Sequence, residues 1–315
     1  MSTGSHLMRL PLSSCLGFAL LCSLGVAARA DCVSLVSGAG GAAFWHGVEQ
    51  GARQAAQETG LQLYFRGPSK ETDPQAQLRI VERMLAHGCR ALIVAPSGAA
   101  VAERMRQLKD QGIAVLYIDR DLGGDEVIGA VVTDNHQAGL LAARQMARLL
   151  RGRSRVGVLR PDSQASSVAE RSAGFIQGAR EAGLDVALEA RLPVHDYMPS
   201  AADLQVLETL DGLFTVNERT TQSALAVLRR AGRSGQLVHI GFDADPLLVE
   251  ALRRGELAAL LLQQPWEMGY RSVWAAHQYL RGARPGPRHE PLAALYVDAQ
   301  RLDDPAIRHL LPLAD

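Results

Sequence analysis

The chain lacks a net charge, so no overall field attracts it to nucleic acid or to an anionic membrane surface. Its 33 basic residues balance 33 acidic ones, and the only lysines are Lys70 and Lys109. It also lacks low-complexity segments, short-period repeats and a Pro/Gly/Ser-rich linker. With 47% hydrophobic and 21% charged residues, the 315-residue chain has the composition of a globular protein and not of a disordered or fibrous one. At about 150 residues per domain, this length predicts two lobes.

Motifs of several enzyme classes are missing as well. The sequence contains no G-x-S-x-G turn of an α/β-hydrolase, and its nine His residues show neither H-E-x-x-H nor Cys/His metal-ligand spacing. His136 follows Asp134 and Asn135, where it is interpreted as a residue at the start of a helix. We therefore expect no hydrolase activity, no metal site and no cofactor.

The first thirty residues differ from the rest of the chain. They contain no Asp or Glu and run from Arg9 through an apolar stretch at 16–26 to Ala28-Arg29-Ala30, a small-x-small cleavage site. This pattern predicts a cleavable secretory signal peptide at 1–30, because the apolar stretch is too short to span a membrane. Export would place the protein in the periplasm. It would also leave Cys32 and Cys89 as the cysteines of the exported chain.

After residue 31, short β-rich runs alternate with amphipathic stretches. Helix-start signals stand at Asp73-Pro74 and Asp245-Pro246, each an N-cap residue followed by proline, and Gly88 is a stop signal for the first of these helices. Continuous apolar strands alternating with helices predict parallel sheets covered on both faces. We therefore predict an α/β fold with two doubly wound parallel-sheet lobes. The predicted strands are 32–36, 61–65, 91–95, 113–118, 127–132, 155–160, 185–190, 212–215, 237–241 and 257–262.

Cys32 and Cys89 each begin one of these apolar runs. A disulfide and a pair of small buried thiols are both compatible with that placement. In a doubly wound sheet of order 2-1-3-4-5, however, the first and third strands are neighbours, and both cysteines would lie at their amino ends. That order predicts a bridge between Cys32 and Cys89, far from any ligand.

Polar and aromatic side chains follow the predicted strands at their carboxyl ends, where open parallel sheets bind ligands. Carboxylates, guanidinium groups and amides beside aromatic rings suit a polyol, whose hydroxyls donate and accept while its C–H faces lie on the rings. Each residue also has a structural interpretation, as part of a salt bridge, a helix cap or the core. The candidate ligand-binding residues are Phe44, Trp45, Asp119, Arg120, Arg171, Asn217, Asp243 and Gln263.

These segments, in this order, resemble the ribose-binding-protein-like branch of the type I periplasmic binding proteins. The matching segments are 44–52, 118–120, 133–135, 169–175, 214–218, 240–243 and 263–265. The resemblance implies that Phe44 and Trp45 stack on the ligand and that the other six candidates are polar contacts. It also implies three crossings between lobes, near Thr133-Asp134, Gln263-Gln264 and Pro291. The N-terminal lobe would comprise 31–133 and 264–290, and the C-terminal lobe 134–263 and 291–315.

The resemblance implies a solute-binding protein, not an enzyme, that captures a sugar or sugar-like polyol by hinge closure. It would act as a monomer and deliver the ligand to a membrane ABC permease. An alternative partner is a membrane sensor histidine kinase. The family usually carries Asn or another polar residue shortly before the aromatic pair, whereas this chain has Gly40-Gly41-Ala42-Ala43. That departure favours a ligand smaller or less polar than ribose.

Two other functions are compatible with parts of the sequence. Residues 38–43 fit G-x-G-x-x-A after the first strand, and Arg66 follows the second strand, which is compatible with an NADP-dependent oxidoreductase. Export to a compartment poor in nicotinamide cofactors, and the lack of a hydride-transfer site, make this a remote alternative. A ligand-sensing repressor would need an N-terminal DNA-binding segment. Residues 1–30 are predicted to be a signal peptide instead, so no nucleic-acid partner is expected.

Overall fold

The computed structural model describes residues 1–2, 4, 31–40, 43–69, 73–125, 127–163, 165–283, 288–308 and 310–311. Nearly all of the predicted signal peptide therefore lies outside the described residues, as do Gly41 and Ala42 of the glycine-rich segment. Across the described ranges, no helix combines the length and the apolar character that crossing a membrane requires.

Strands and helices alternate along the chain as the apolar periodicity predicts. The strands are β1 Cys32–Val36, β2 Gln62–Arg66, β3 Ala91–Val94, β4 Ala114–Ile118, β5 Gly129–Thr133, β6 Arg155–Pro161, β7 Asp185–Leu192, β8 Gly212–Thr215, β9 Val238–Phe242, β10 Ala259–Leu262, β11 His289–Leu292 and β12 Leu295–Val297. The helices are α1 Ala43–Thr59, α2 Pro74–Leu85, α3 Ala99–Asp110, α4 Asn135–Leu150, α5 Ser166–Glu181, α6 Ala201–Leu207, α7 Glu218–Arg230, α8 Pro246–Arg253, α9 Pro265–Leu280 and α10 Pro305–Arg308.

The two predicted proline-preceded caps are present. Asp73 accepts a hydrogen bond from the backbone N–H of Ala76 at 2.7 Å, and Asp245 accepts one from Leu248 at 2.7 Å. Each carboxylate thereby satisfies one of the N–H groups that lack a partner in the first turn of the helix. These local signals fix where α2 and α8 begin.

The strands of the described residues form two six-stranded sheets, one in each lobe. Their orders are β2-β1-β3-β4-β5-β11 and β7-β6-β8-β9-β10-β12. All neighbouring strands are parallel except β12, which pairs antiparallel with β10. The predicted fold of two doubly wound parallel-sheet lobes is confirmed.

The edge strands β11 and β12 are absent from the predicted set. Both are short, and β11 contains Pro291, which cannot donate to a ladder and is tolerated because β11 is at the sheet edge. Pro291 and Leu292 still pair with Val132 and Thr133 of β5. The third crossing between the sheets therefore lies at 293–294, close to Pro291.

A close pair of helices covers one face of each sheet. In the first lobe α1 packs on α9, and a Cβ atom at Gly51 would overlap the carbonyl oxygen of Trp266. In the second lobe α4 packs on α5, and a Cβ atom at Gly174 would overlap the carbonyl oxygen of His136. Glycine at these two positions lets the helix backbones approach closely over each core.

Cys32 and Cys89 are joined by a disulfide in the first lobe. Their Cα atoms are 4.8 Å apart, which is the spacing of adjacent strands in a sheet. Cys32 begins β1, and Cys89 lies two residues before the neighbouring strand β3. The bridge therefore joins the amino ends of these strands, opposite to the carboxyl ends where the polar candidates lie.

Candidate ligand-binding site

Two aspartates occupy equivalent positions in the two lobes. Asp119 follows β4 with φ 65°, and Asp243 follows β9 with φ 64°. The N–H of Asp119 donates to Val131 O at 3.0 Å, and that of Asp243 donates to Leu261 O at 2.9 Å. Aspartate tolerates this left-handed conformation better than most residues, but a non-glycine residue there still costs free energy. The same unfavourable conformation therefore occurs at matching strand ends of both sheets.

The Asp119 carboxyl is buried and lies within reach of charges from the second lobe. Burial raises the pKa of Asp119 to about 7, while the charge of Arg171 lowers it and that of Asp243 raises it further. Burial also raises the pKa of Asp243, against the opposing effects of Arg171 and of the hydrogen bond from Gln263. The Asp119 carboxyl of the first lobe therefore shares a buried environment with the Asp243 carboxyl and the Arg171 guanidinium of the second lobe.

Arg120 is buried beside Asp119, its Nε 3.3 Å from Asp119 Oδ2. A Cβ atom at Gly38 would lie 3.0 Å from the Trp45 ring and 3.5 Å from a nitrogen of the Arg120 guanidinium. Burial lowers the pKa of Arg120 to about 10, with Arg171 lowering it further and Tyr197 raising it. Gly38 thus leaves room for the indole and the guanidinium at the end of β1.

Arg171 is held by three elements of its own lobe. Its Nε donates to Asn135 Oδ1 at 2.8 Å, and its Nη1 donates to the Val216 carbonyl at 3.0 Å. Its Cζ lies 3.7 Å from the centre of the Phe242 ring, a cation–π distance. Only 2% of the residue is exposed, and burial lowers the pKa of Arg171. These contacts use two of the five guanidinium N–H donors, and the others have no partner within the described part of the chain.

Gln263 connects the two lobes at a chain crossing. Its Oε1 accepts from the Thr133 hydroxyl at 2.7 Å, and its Nε2 donates to Asp243 Oδ1 at 2.7 Å. Thr133 ends β5 of the first sheet, whereas Asp243 follows β9 of the second. The amide therefore orients the Asp243 carboxylate from the hinge.

Asn217 caps a helix and precedes a residue that interacts with Asp243. Its Oδ1 accepts from the backbone N–H of Thr220 at 3.0 Å and from the Thr220 hydroxyl at 2.7 Å, which caps α7. The amide NH2 group remains available to donate. The next residue, Glu218, has its pKa raised to about 7 by burial and by Asp243 and Asp245.

The aromatic pair lies at the start of α1. The rings of Phe44 and Trp45 meet edge to face, with centroids 4.9 Å apart and an interplanar angle of 85°. Trp45 packs into the first lobe's core and is 6% exposed, whereas Phe44 is half-buried. Phe44 thus offers more ring surface to a ligand, and Trp45 supports it from the core.

Comparison with known proteins shows which protein family the chain belongs to. The periplasmic binding protein domain family matches residues 33–284. This chain is a member of that family. Its members are binding proteins and not enzymes, which confirms the prediction of no enzymatic activity and excludes the NADP-dependent oxidoreductase.

Similar proteins support the assignment over most of the binding protein's length. The ribose import binding protein of Escherichia coli is 26% identical over 259 residues, covering 81% of this chain and 86% of that protein. The D-apiose import binding protein of Actinobacillus succinogenes is 22% identical over 293 residues, covering 90% and 93%. The structure of the periplasmic component of an ABC-type sugar transport system from Hahella chejuensis is 32% identical, with a TM-score of 0.76, and covers 84% of this chain and 99% of that one. The resemblance to the ribose-binding-like branch of type I periplasmic binding proteins is confirmed.

Most of the sequence-predicted residues of this binding protein meet at the facing ends of the two sheets. The contacts and charges described above connect Asp119, Arg120, Arg171, Asp243 and Gln263 directly. The remaining predicted residues are placed beside this cluster by α1 and the first turn of α7. That these eight residues bind a ligand stays a prediction, and the structure shows which of them are already engaged with protein partners.

Tyr197 was missed by the sequence reasoning. It lies in the loop between β7 and α6 with φ 58°, where burial raises the pKa of its hydroxyl while Arg219 and the first lobe's Arg120 lower it. Its N–H donates to Pro193 O at 2.7 Å, and its carbonyl accepts from the Ser223 hydroxyl at 2.6 Å. A bulky residue in this backbone region is rare and typical of functional sites. Its placement depends on the conformation of the loop, which the periodicity of strands and helices does not predict.

The lobes of the binding protein touch across the cleft. Ser166 at the start of α5 donates its hydroxyl to the Asp121 carbonyl of the first lobe at 3.4 Å. The Glu170 carboxyl also interacts with charges on His289 and Asp121 of that lobe. Groups of both lobes are thus brought into contact across the cleft, as in a closed conformation.

Proposed function

We propose that this protein captures a monosaccharide or a similar small polyol between its two lobes and delivers it to a membrane ABC permease. The observation that carries the proposal is the convergence of Asp119 and Arg120 from one lobe with Arg171 and Asp243 from the other. Planar carboxylates and guanidinium groups fix the orientation of hydroxyls by paired, charge-assisted hydrogen bonds. The half-buried Phe44 ring supplies an apolar face for sugar C–H groups.

The similar proteins narrow the ligand class. Their names state ribose and D-apiose import, and a 25% identical structure from Agrobacterium vitis contains D-fucose. All of these ligands are small monosaccharides. On the first lobe, Gly38 lies beside the Trp45 indole and the Arg120 guanidinium. Neither Gly38 nor Gly40 adds a polar side chain there. We therefore infer a pentose or deoxy sugar with fewer hydroxyl contacts on that side.

Location and binding cycle follow from the same proposal. A signal peptide at 1–30 would export the chain to the periplasm, where it would act as a monomer. In the open form each lobe carries its own half of the polar set, so a ligand that touches both halves stabilises the closed form. Water leaves the cleft on closure, which strengthens each charged hydrogen bond.

The test is direct identification of the ligand. Protein purified without denaturation is analysed by mass spectrometry for released small molecules, and sugar-free protein is titrated calorimetrically with D-ribose, D-arabinose, D-apiose and D-fucose. We expect at least one of these sugars to bind with a Kd at or below about 1 μM, equivalent to about 8 kcal/mol. Asp243→Ala should weaken binding at least about a hundredfold, because it removes a buried charged contact. Asp110→Asn, on an exposed position at the end of α3, should leave it unchanged.

Delivery is tested separately by uptake. A strain lacking the gene should fail to accumulate the identified labelled sugar, and the parent chain but not Asp243→Ala should restore uptake. If no monosaccharide binds and none is released from the purified protein, the proposed function is wrong. Binding without any effect on uptake would reject the transporter as partner.

A further inference from the structure

A groove of about 510 Å³ lies on the second lobe, between α5 and the neighbouring strands β6 and β7, of which β7 is at the sheet edge. Its floor includes the small residues Ala169 and Ala173 of α5, and its wall includes Arg160 of β6 and Glu189 of β7. None of the eight candidate residues of the cleft lines it. The groove is therefore separate from the proposed sugar site and does not depend on it.

Arg160 is the feature that requires explanation. It is 8% exposed, lines the groove, and donates no hydrogen bond and joins no ion pair within the described residues. A guanidinium that lines a groove without a protein acceptor keeps its N–H donors free for another partner. Arg160 thus has the properties of a ligand-binding group whose partner is not a protein residue.

Ser172 gives a second and independent observation. It also lines the groove, it is 3% exposed, and its hydroxyl oxygen is buried without a hydrogen-bond partner in the part of the chain described. Serine inside a helix usually returns a hydrogen bond to the preceding turn or faces water. Here the hydroxyl does neither, so it is an unpartnered polar group in the wall of the groove.

Arg191 adds a second cation beside Arg160. The two residues are paired across the parallel β6–β7 ladder, so their side chains leave the same face of neighbouring strands about 4.8 Å apart. Arg191 is exposed and, like Arg160, forms no ion pair among the described residues. Adjacent like charges are unfavourable unless an anion lies between them.

The acidic residues near the groove do not neutralise this pair. Glu181 accepts a hydrogen bond from Gln177 Nε2 at 2.8 Å, toward the other end of α5. Glu189 lies on the same face of β7, two residues before Arg191, and forms no ion pair within the described ranges. Arg180 also lines the groove, so its lining carries two arginines and two glutamates. Arg191, beside Arg160 on the neighbouring strand, makes the end at Arg160 and Ser172 the positive one.

We propose that this end of the groove is a second ligand site, which takes a small tetrahedral oxyanion such as phosphate. Guanidinium forks and a hydroxyl are donors that phosphate oxygens accept. The carboxylates farther along the groove disfavour a long polyanion there. The same phosphate chemistry is found in inorganic phosphate and in a small phosphate ester.

The test is titration of sugar-free protein with inorganic phosphate and, in a second arm, glycerol 3-phosphate. Ionic strength is held constant with NaCl, and binding is followed by calorimetry and by NMR of arginine Nε–H signals. We expect saturable one-site binding of at least one of the two anions and a shift of the Arg160 signal. Tighter binding of glycerol 3-phosphate than of inorganic phosphate would identify an ester as the ligand, and the reverse order would identify the free ion.

Variants decide whether the site is the one proposed. Arg160→Gln and, on the exposed edge strand, Arg191→Gln should each weaken anion binding at least about tenfold. Arg230→Gln, which changes an exposed arginine on α7, should change it by less than about twofold. Sugar affinity should stay the same in all three. Absence of saturable anion binding, or equal affinity in the parent, Arg160→Gln and Arg191→Gln, would overturn the proposal.

Discussion

Arg171 has two roles that can be separated by substitution. Its contacts with Asn135, Val216 and Phe242 all come from its own lobe, so they persist when the cleft opens. Lysine keeps the charge but cannot reproduce two directed bonds and still offer a fork to a sugar. We therefore expect Arg171→Lys to weaken sugar binding about thirtyfold or more. It should also lower the melting temperature of the unliganded protein.

Calorimetric titration and thermal melting measure the two effects. Arg148→Lys, an exposed arginine on α4, is the matched control and should change neither. Sugar affinity within a factor of about three of the parent would remove Arg171 from the binding site.

Asp119 should make stability depend on pH. Because burial raises the pKa of Asp119 to about 7 from 3.8, the folded state keeps a proton that the unfolded state loses above about pH 4. The free energy of unfolding therefore falls as pH rises from about 4 to about 7. Asp119→Asn should remove this contribution, on the order of a few kcal/mol across the window. Stability of the variant should thus decline less from pH 4.5 to pH 8.

The difference between parent and variant is the quantity to compare, because other groups titrate as well. Glu218, whose pKa is raised to about 7, acts in the same direction. His239 acts in the opposite direction. Because burial lowers its pKa to about 3, the folded state holds it neutral, and the free energy of unfolding rises as the unfolded chain loses that proton with increasing pH. Urea denaturation at each pH measures the slope. Identical slopes in the parent and Asp119→Asn would contradict the prediction, and Asp110→Asn provides the exposed control.

At the scale of elements, the helix pairs depend on glycine. A Cβ atom at Gly51 or Gly174 would overlap a backbone carbonyl of the facing helix, which cannot move independently of that helix. Alanine would therefore force α1 from α9, or α4 from α5. We expect Gly51→Ala and Gly174→Ala each to lower the free energy of unfolding by about 1–3 kcal/mol, despite the better helix propensity of alanine.

Denaturant titration measures this loss. Gly129→Ala is the comparison, because the nearest atoms to a Cβ there are at 3.9 and 4.0 Å, which is ordinary contact. Unchanged stability in both helix variants would show that the helices can separate at no cost.

At the scale of the whole molecule, ligand binding should shift the lobes from open to closed. The chain crosses between the sheets at three places, and Ser166 and Asp121 meet only when the lobes face each other closely. We expect small-angle scattering to give a smaller radius of gyration with saturating sugar than without it. Asp243→Ala at the same sugar concentration should show no such change. Superimposable curves for the parent with and without bound sugar would indicate a rigid cleft.

Local signals in the sequence determined much of this architecture. The alternation of apolar strands with helices indicated two doubly wound lobes, and the caps at Asp73 and Asp245 marked two helix starts. The carboxyl ends of parallel strands lie on one edge of a sheet, so residues following them could be assigned to a common site before any contact was known. The family resemblance then assigned them as ligand contacts.

Only the tertiary structure decided the rest, because it depends on contacts between distant parts of the chain. Strands β11 and β12 are too short and too irregular to show a pattern, and their pairing partners precede them by more than thirty residues. Tyr197 reaches the site through a loop conformation that no periodicity encodes. The high pKa of Asp119 arises from burial and from the second lobe's Asp243, against the opposing charge of the second lobe's Arg171. Such charges act over distance in space, and sequence separation does not record that distance.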